Sequence, residues 1–150
     1  MKALLSAFAS TILTLLCASA LATPRAYIAN DGPTHVGNTV SVIDGVSNAV
    51  IGTVTVGAGP TGVAVHPAGT RVYVTNFAGG ANSVSVIDTA SSSTVATVTV
   101  GSSPFGIASN LSGTQVYVAN VGSNSVSVIR TSDNTVVATV PVGIRRLEHG

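Results

Sequence analysis

Three histidines, five acidic residues, one cysteine and three tyrosines are the side chains of this 150-residue chain on which chemistry could rest. His66 stands immediately before Pro67, and its counterpart one repeat later is Asn110. A histidine that titrates near neutrality can act as a base or a ligand, but a metal site needs further imidazoles or carboxylates at ligand spacing, and His66 has none. It reads as a turn cap or a solvated imidazole, as does His35 in the loop Asp31-Gly32-Pro33-Thr34-His35-Val36-Gly37. His149 falls in the terminal run IRRLEHG, which gives it no context. Asp44 and Asp88 occupy the same place in two successive units, and Arg130 takes that place in the next. A carboxylate there can accept the N–H groups of a turn. The acids lie a whole unit apart, so nothing pairs them for acid–base work, and the arginine argues against a cation site repeated in every unit. Gly57, Gly59 and Gly62 read as turn residues, because a phosphate-cradling glycine loop must open a helix and none follows. The sequence therefore leads us to expect no catalytic residue, no cofactor-binding residue and no metal ligand, and the chain reads as a non-enzyme.

The first 22 residues have a separate character. MKALLSAFASTILTLLCASALA carries one charge, Lys2, then an apolar stretch from Ala3 to about Ala18, then Ala20-Leu21-Ala22. A short basic start, an apolar centre and a small-x-small ending describe a signal peptide. Cleavage is expected after Ala22, with Ala20 as the alternative, and the apolar run is shorter than the roughly 20 residues of a membrane span. Cys17 does not read as a lipid attachment site, because Leu16 before it is large. Cleavage would leave a chain with no cysteine, hence no disulfide, although export would permit one. It would also leave five arginines balanced by Asp31, Asp44, Asp88, Asp133 and Glu148. The dense positive charge of a nucleic-acid binder is missing, so nucleic acid is not an expected partner. The expected location is the periplasm or the cell exterior, with no transmembrane anchor in the mature chain.

What positions these residues is a repeat. GAGPTGVAVHPAGTRVYVTNFAGGANSVSVIDTASSSTVATVTV covers 57–100, and GSSPFGIASNLSGTQVYVANVGSNSVSVIRTSDNTVVATVPV covers 101–142. An earlier copy, RAYIANDGPTHVGNTVSVIDGVSNAVIGTVTV at 25–56, lacks the first segment. Tyr27, Tyr73 and Tyr117 are spaced 46 and 44 residues apart, and the length difference falls in a loop, where insertion is tolerated.

Each full unit carries four strand signals, placed in the second unit at Gly62–His66, Arg71–Thr75, Ser83–Asp88 and Val95–Val100. Alternation in Val84-Ser85-Val86 and Val98-Thr99-Val100 is the period of a strand, and valine and threonine suit a pleated surface. Pro67-Ala68-Gly69, Ala78-Gly79-Gly80-Ala81-Asn82 and Ala90-Ser91-Ser92-Ser93 separate them as turns. Essentially no helix is expected after residue 24. The three tyrosines are expected in the core, rings between stacked sheets and hydroxyls on polar partners, with Asn76 holding the turn at its strand end.

YIAN at 27–30, YVTN at 73–76 and YVAN at 117–120, each followed by NTVSVID, NSVSVID or NSVSVIR, resemble the YVTN-type β-propeller repeat family. Gly59-Pro60-Thr61-Gly62 and Ser103-Pro104-Phe105-Gly106 match its way of entering the innermost strand. The resemblance spans residues 25–142. It implies an all-β fold, a partial β-propeller of four-stranded antiparallel blades belonging to a seven-bladed ring. Such proteins are exported or displayed at the cell surface, mostly without assigned activity, and some are compared with amine dehydrogenase propellers. By the same resemblance, inner strands starting near Gly62 and Gly106 would line a channel, with Asn76 and Asn120 at a rim. The chain departs from the family pattern at Pro67-Ala68-Gly69 and Leu111-Ser112-Gly113, where Pro-Asp-Gly is common, and at IRRLEHG, where a new strand should begin.

The expected organisation is a signal peptide at 1–22, a propeller segment at 23–143 with blades at 25–56 (incomplete), 57–100 and 101–142, and an anomalous tail at 144–150. A closed propeller needs at least four blades, about 170 residues at about 43 each, so this chain cannot close a ring alone. Three outcomes satisfy the count: a stretch of a longer propeller, which is the expectation, completion of a ring by several chains, or an open array. Open blade faces and unpaired edges would favour self-association. The expected function is a non-catalytic binding or scaffold module for an unidentified protein or small molecule. The alternatives are the propeller portion of an oxidoreductase-like periplasmic enzyme and a cell-surface structural or adhesion repeat.

Overall fold

The alternating valines of each repeat unit form strands that pair into three separate antiparallel sheets, and 56% of the described residues are strand. The computed structural model describes residues 23–143, so the expected leader with Cys17 and the expected tail with His149 lie outside the described residues. Blade 1 consists of β1 (Arg25–Asn30), β2 (Thr39–Asp44) and β3 (Val50–Thr55), in that spatial order. Blade 2 consists of β4 (Pro60–Val65), β5 (Arg71–Asn76), β6 (Ser83–Asp88) and β7 (Ser93–Thr99). Blade 3 repeats this with β8 (Pro104–Ser109), β9 (Gln115–Asn120), β10 (Ser125–Arg130) and β11 (Thr135–Pro141). Every neighbour in a sheet is also a neighbour in sequence, so each blade is an up-and-down meander. The segment is a partial β-propeller, as the repeat implied.

The strands of the second unit fall within two residues of their expected bounds. The shifts have a cause. The outermost strand of every blade carries a bulge, leaving Ile51, Val95 and Val137 unmatched beside β2, β6 and β10. The extra residue turns outward, so these three are exposed at 52%, 52% and 43%, and the strand begins earlier than its valine pattern indicates. Among the described residues the one departure from strand and coil is a three-residue 3-10 turn at Pro33–His35, in the long loop of blade 1.

Each blade hides a face of its neighbour. Call leading the face turned toward the next unit and trailing the face turned toward the preceding one. From blade 2, Tyr73, Val84, Val86 and Val98 lead into Val116, Val118 and Ile129 of blade 3. From blade 1, Val40, Val42 and Val54 lead into Val72, Val74 and Ile87 of blade 2, with Tyr27 and Val63 at the margin. Burying a valine or isoleucine side chain contributes roughly 1.5–3 kcal/mol, so these two seams are the main source of stability. The units lie close along β4 and β8 and splay apart at β7 and β11, the wedge arrangement of blades around an axis.

The tyrosines therefore share a face but not an environment. Tyr73 is fully buried, Tyr27 is half-buried, and Tyr117 is 40% exposed because no described residue of a following blade covers it. The expectation of three core tyrosines holds for Tyr73, partly for Tyr27, and fails for Tyr117.

Hydroxyls link the innermost strands: Ser109 Oγ of β8 donates to Val65 O of β4 at 3.2 Å, and Thr75 of β5 bridges Gly62 and Phe105. A register shift between Pro60 and Val63 leaves Gly62 without a ladder partner, and Thr75 Oγ1 accepts its N–H at 2.7 Å. The same hydroxyl donates across the seam to Phe105 O at 2.9 Å. Gly62 must be glycine here, since a Cβ would come within 2.4 Å of Phe105 O. Gly62 thus sits in the seam between blades, not on a channel wall, because the bulge turns it toward blade 3. Thr75→Val keeps the shape of the side chain but leaves Gly62 N–H unpartnered and Phe105 O with only the 3.5 Å contact from Thr61 Oγ1. Its expected cost is about 1–3 kcal/mol in denaturant-induced unfolding, and an unchanged midpoint would contradict this account.

Candidate functional site

The acidic residues expected to hold turns do so. Asp44 Oδ1 accepts Val46 N–H, Ser47 N–H and Ser47 Oγ–H at 3.0, 2.8 and 3.0 Å. Asp88 Oδ1 accepts the equivalent groups of Ala90 and Ser91 at 3.0, 2.8 and 3.1 Å. In blade 3 the arrangement is inverted. Arg130 replaces the aspartate, and its guanidinium grips Asp133 three residues on at 2.7–3.1 Å, while Thr135 Oγ1 donates to Asp133 at 2.8 Å. The same turn is held by two different charge patterns, so the arginine is a compensated change.

Hydrogen bonds to the charged form depress all three carboxyls. The Ser47 backbone and side chain lower Asp44, the Ser91 backbone leads in lowering Asp88, and Arg130 with Thr135 holds Asp133 down to about 2. A carboxylate depressed in the fold stabilises fully above its ordinary value of 3.8, and that contribution is lost as pH falls through the folded value. The melting temperature should therefore decline on acidification from pH 3.8 to about 2, and Asp133→Asn should make the decline shallower. Melting curves across that range that superimpose for the two proteins would refute this.

His66 is a structural residue. Ala68 N–H donates to its Nδ1 at 3.1 Å, which fixes the proton on Nε2, and Nε2–H donates to Gly113 O of blade 3 at 2.9 Å. Gly113 allows this approach, since a Cβ there would fall 2.5 Å from the imidazole. His35 is paired with Asp31 in the loop of blade 1, and its ring lies 5.7 Å from Phe77. Arg25 donates to Thr89 O at 3.0 Å across the seam from blade 1 to blade 2. Each charged or imidazole side chain among the described residues thus has a partner within the protein. Among the described residues no three His, Cys, Asp or Glu side chains converge on a possible metal position.

A buried polar cluster escaped the sequence reading. Asn76 Nδ2 donates to Ser83 Oγ and Ser85 Oγ at 2.9 and 3.0 Å, and Ser85 Oγ also accepts Gly57 N–H at 3.2 Å. Asn120 repeats this with Ser125 and Ser127, and Asn30 with Thr39 and Ser41. Asn76 and Asn120 are 0% and 2% exposed, so they tie adjacent strands together instead of presenting a rim. The alternating serines of NSVSVID carried the signal, but only the fold shows that their face is buried.

Among the described residues five buried side-chain atoms lack a hydrogen-bond partner: Asp31 Oδ1, the Tyr73 hydroxyl, and the amide oxygens of Asn76, Asn120 and Asn134. Tyr73 also lines a recess of about 460 Å³ between blades 2 and 3, together with His66, Thr70, Arg71, Thr131 and Ser132. Burial pushes this phenol above its ordinary range, with Arg71 pulling the other way. Arg71 is paired with Asp88 and donates to Thr70 O, and Thr131 Oγ donates to Gly113 O at 2.6 Å. The sequence led us to expect a polar partner for this hydroxyl; the ring instead packs in the seam and leaves it without one. Tyr117, by contrast, donates to Gln115 at 2.8 Å. A second recess of about 480 Å³, in the splay between β7 and β10–β11, is lined mainly by backbone turns and hydroxyls already bonded.

The fold and the seams together define a β-propeller segment, and similar solved structures are β-propeller proteins. The chain resembles the hydrazine synthase of Kuenenia stuttgartiensis at 32% identity and a TM-score of 0.71, over 77% of this chain and 32% of that one. It also resembles apo AztD from Citrobacter koseri, at 14% identity and a TM-score of 0.59 over 70% of this chain and 29% of that one. A third likeness is to the dihydro-heme d1 dehydrogenase NirN in complex with DHE, at 20% identity and a TM-score of 0.59 over 79% of this chain and 24% of that one. The last two show likeness of fold alone. The chain spans about a third or less of each of these proteins. No protein-family model matches the sequence, and no curated protein does. Among the described residues no helix is long and apolar enough to cross a membrane.

Proposed function

We propose that this chain is an exported, non-catalytic β-propeller module of the YVTN-repeat type, acting in the periplasm or at the cell exterior, and that it binds a small polar ligand in the recess between blades 2 and 3. The observation that carries this reading is the Tyr73 hydroxyl, buried and unpartnered on a residue that lines that recess. Buried polar groups are normally satisfied, and one that is not is a candidate for an external partner. Around it the available groups are donors, from Arg71 and Ser132 as well as the phenol, while His66 is committed to the seam. A ligand offering acceptor oxygens, a carboxylate or a phosphate, fits that chemistry. The signal-like leader supports export, and the structural occupation of the charged side chains supports a role without catalysis.

The test is titration calorimetry of the intact chain with acetate and with inorganic phosphate, repeated on Tyr73→Phe. Saturable binding of one of them, weakened at least tenfold in the variant, is the expected result. Absence of saturation with both, or equal binding by Tyr73→Phe, overturns the assignment. In the absence of ligand, Tyr73→Phe removes an unsatisfied hydroxyl and keeps the ring, so its stability should be unchanged or raised by up to about 1 kcal/mol. A loss of stability would mean that the hydroxyl already has a partner.

A second reading is favoured by one observation, the 32% identity to hydrazine synthase across 77% of this chain. On that reading the segment is the propeller portion of an oxidoreductase-like enzyme whose reacting groups lie elsewhere. Its distinguishing result would be redox activity that appears only when this chain is combined with a cofactor-bearing component.

A further inference from the structure

Two equivalent arginines treat their seams in opposite ways. Arg25 and Arg71 open β1 and β5, each opposite an aspartate, Asp44 and Asp88, in the register of its sheet. Arg25 reaches over the blade 1–blade 2 seam and donates from Nη1 to Thr89 O at 3.0 Å. One unit later Thr131 stands where Thr89 does, and Arg71 makes no such bond to it. Instead Arg71 stays on its own blade, its Nη1 paired with Asp88 and donating to Thr70 O at 3.0 Å. One seam is thus bridged by its arginine, and the other keeps the recess that Arg71 lines. Both walls of that recess belong to blades 2 and 3, so it exists whatever lies beyond blade 3. Among the described residues Arg71 Nε and Nη2 have no hydrogen-bond partner, and neither has the Tyr73 phenol.

Charge around the recess is balanced in pairs. Arg71 is matched by Asp88, and Arg130, beside Thr131, is matched by Asp133, beside Ser132. His66 accepts the Ala68 N–H on Nδ1, the arrangement of an uncharged ring. A guanidinium is a planar fork that takes the two oxygens of one carboxylate side by side. Here its positive charge is already shared with Asp88, so the recess has no second cation to offer. A singly charged carboxylate suits it. A phosphate dianion would bring a further negative charge toward Asp88 and Asp133 with nothing to meet it. Resting on the ligand reading above, we propose that Arg71 is the specificity-determining residue of the recess. It takes a small monocarboxylate through its Nε–Nη2 edge, with the Tyr73 phenol as a further donor, and the Asp88 pairing on Nη1 sets the preference for a monoanion over a dianion.

The test is titration calorimetry with acetate and with inorganic phosphate, in mildly alkaline buffer where the first is a monoanion and the second a dianion. It compares the unmodified chain with Arg71→Lys and Asp88→Asn. Lysine keeps a charge opposite Asp88 but cannot fork onto two oxygens. Asparagine keeps an oxygen for the Ala90 and Ser91 N–H groups while removing one negative charge. Both side chains are partly exposed, so circular dichroism should show native strand content in each variant. The unmodified chain should bind acetate about tenfold more tightly than phosphate. Arg71→Lys should weaken acetate binding about tenfold. Asp88→Asn should strengthen phosphate binding more than acetate binding and so narrow the gap between them. Saturation by neither anion sinks the ligand reading and this inference with it. Acetate binding untouched by Arg71→Lys, a preference for phosphate in the unmodified chain, or a gap that Asp88→Asn leaves unchanged overturns this inference alone.

Discussion

The structure depends on apolar sheet flanks being pressed together, unit against unit. A four-stranded meander satisfies its own inner hydrogen bonds but has two broad faces, and here valine, isoleucine and tyrosine occupy both. In β5 the residues Val72 to Asn76 are all buried, so the strand is apolar on each side and alternates only in which neighbour it serves. Such a blade cannot hide either face alone. Stacking removes both faces from water at once, and it places Tyr73, the largest fully buried side chain, where it must bridge two sheets.

The same packing explains the serines and asparagines on the trailing faces. A hydroxyl or amide in an apolar seam is costly unless bonded, and Asn76 meets part of that cost by donating from its amide nitrogen to Ser83 and Ser85, its amide oxygen having no partner. The cluster also fixes register. Sliding β6 by one residue would carry both serines to the opposite face and bring valines against the amide. Gly57 lies against this amide so closely that a Cβ would come within 2.5 Å of it, which anchors the linker entering blade 2 to the body of the blade. Polar specificity and apolar stability are thus interleaved along the same strands.

How much of this was legible beforehand follows from the range of the interactions. Strand number, meander order and the incomplete first unit depend on local signals, alternation and turn composition, and these were readable from Val84-Ser85-Val86 and Pro67-Ala68-Gly69. The turn-holding role of Asp44 and Asp88 was readable for the same reason, since their partners lie within three residues. What could not be read was which flank each side chain serves. The tyrosines are equivalent in sequence, yet Tyr73 is buried and Tyr117 is not, because exposure is decided by a neighbouring blade. Gly62 looked like a strand entrance, and its role in the seam arises from Phe105, which belongs to another unit. The recess joins His66 and Arg71 to Thr131 and Ser132, and no local spacing connects residues so far apart.

A repeat protein places its most informative residues where equivalent positions differ. Seams need the same apolar types each time, so those positions vary little among Val72, Val116 and Ala26. Arg25, Arg71 and Gln115 are equivalent, yet the first reaches across to Thr89, the second turns back to Asp88, and the third accepts a hydrogen bond from Tyr117. Thr75 likewise stands where the other units have Ala29 and Ala119, and only its hydroxyl can link a bulge to the next blade. The blade 2–blade 3 seam is therefore chemically unlike its neighbour while being built to the same plan. Packing alone gives no reason for an unpartnered phenol beside an arginine at that one seam, since phenylalanine would fill the same volume without the desolvation cost of a hydroxyl. The divergence, more than the repeat, sets the recess lined by Tyr73 apart from the other seam.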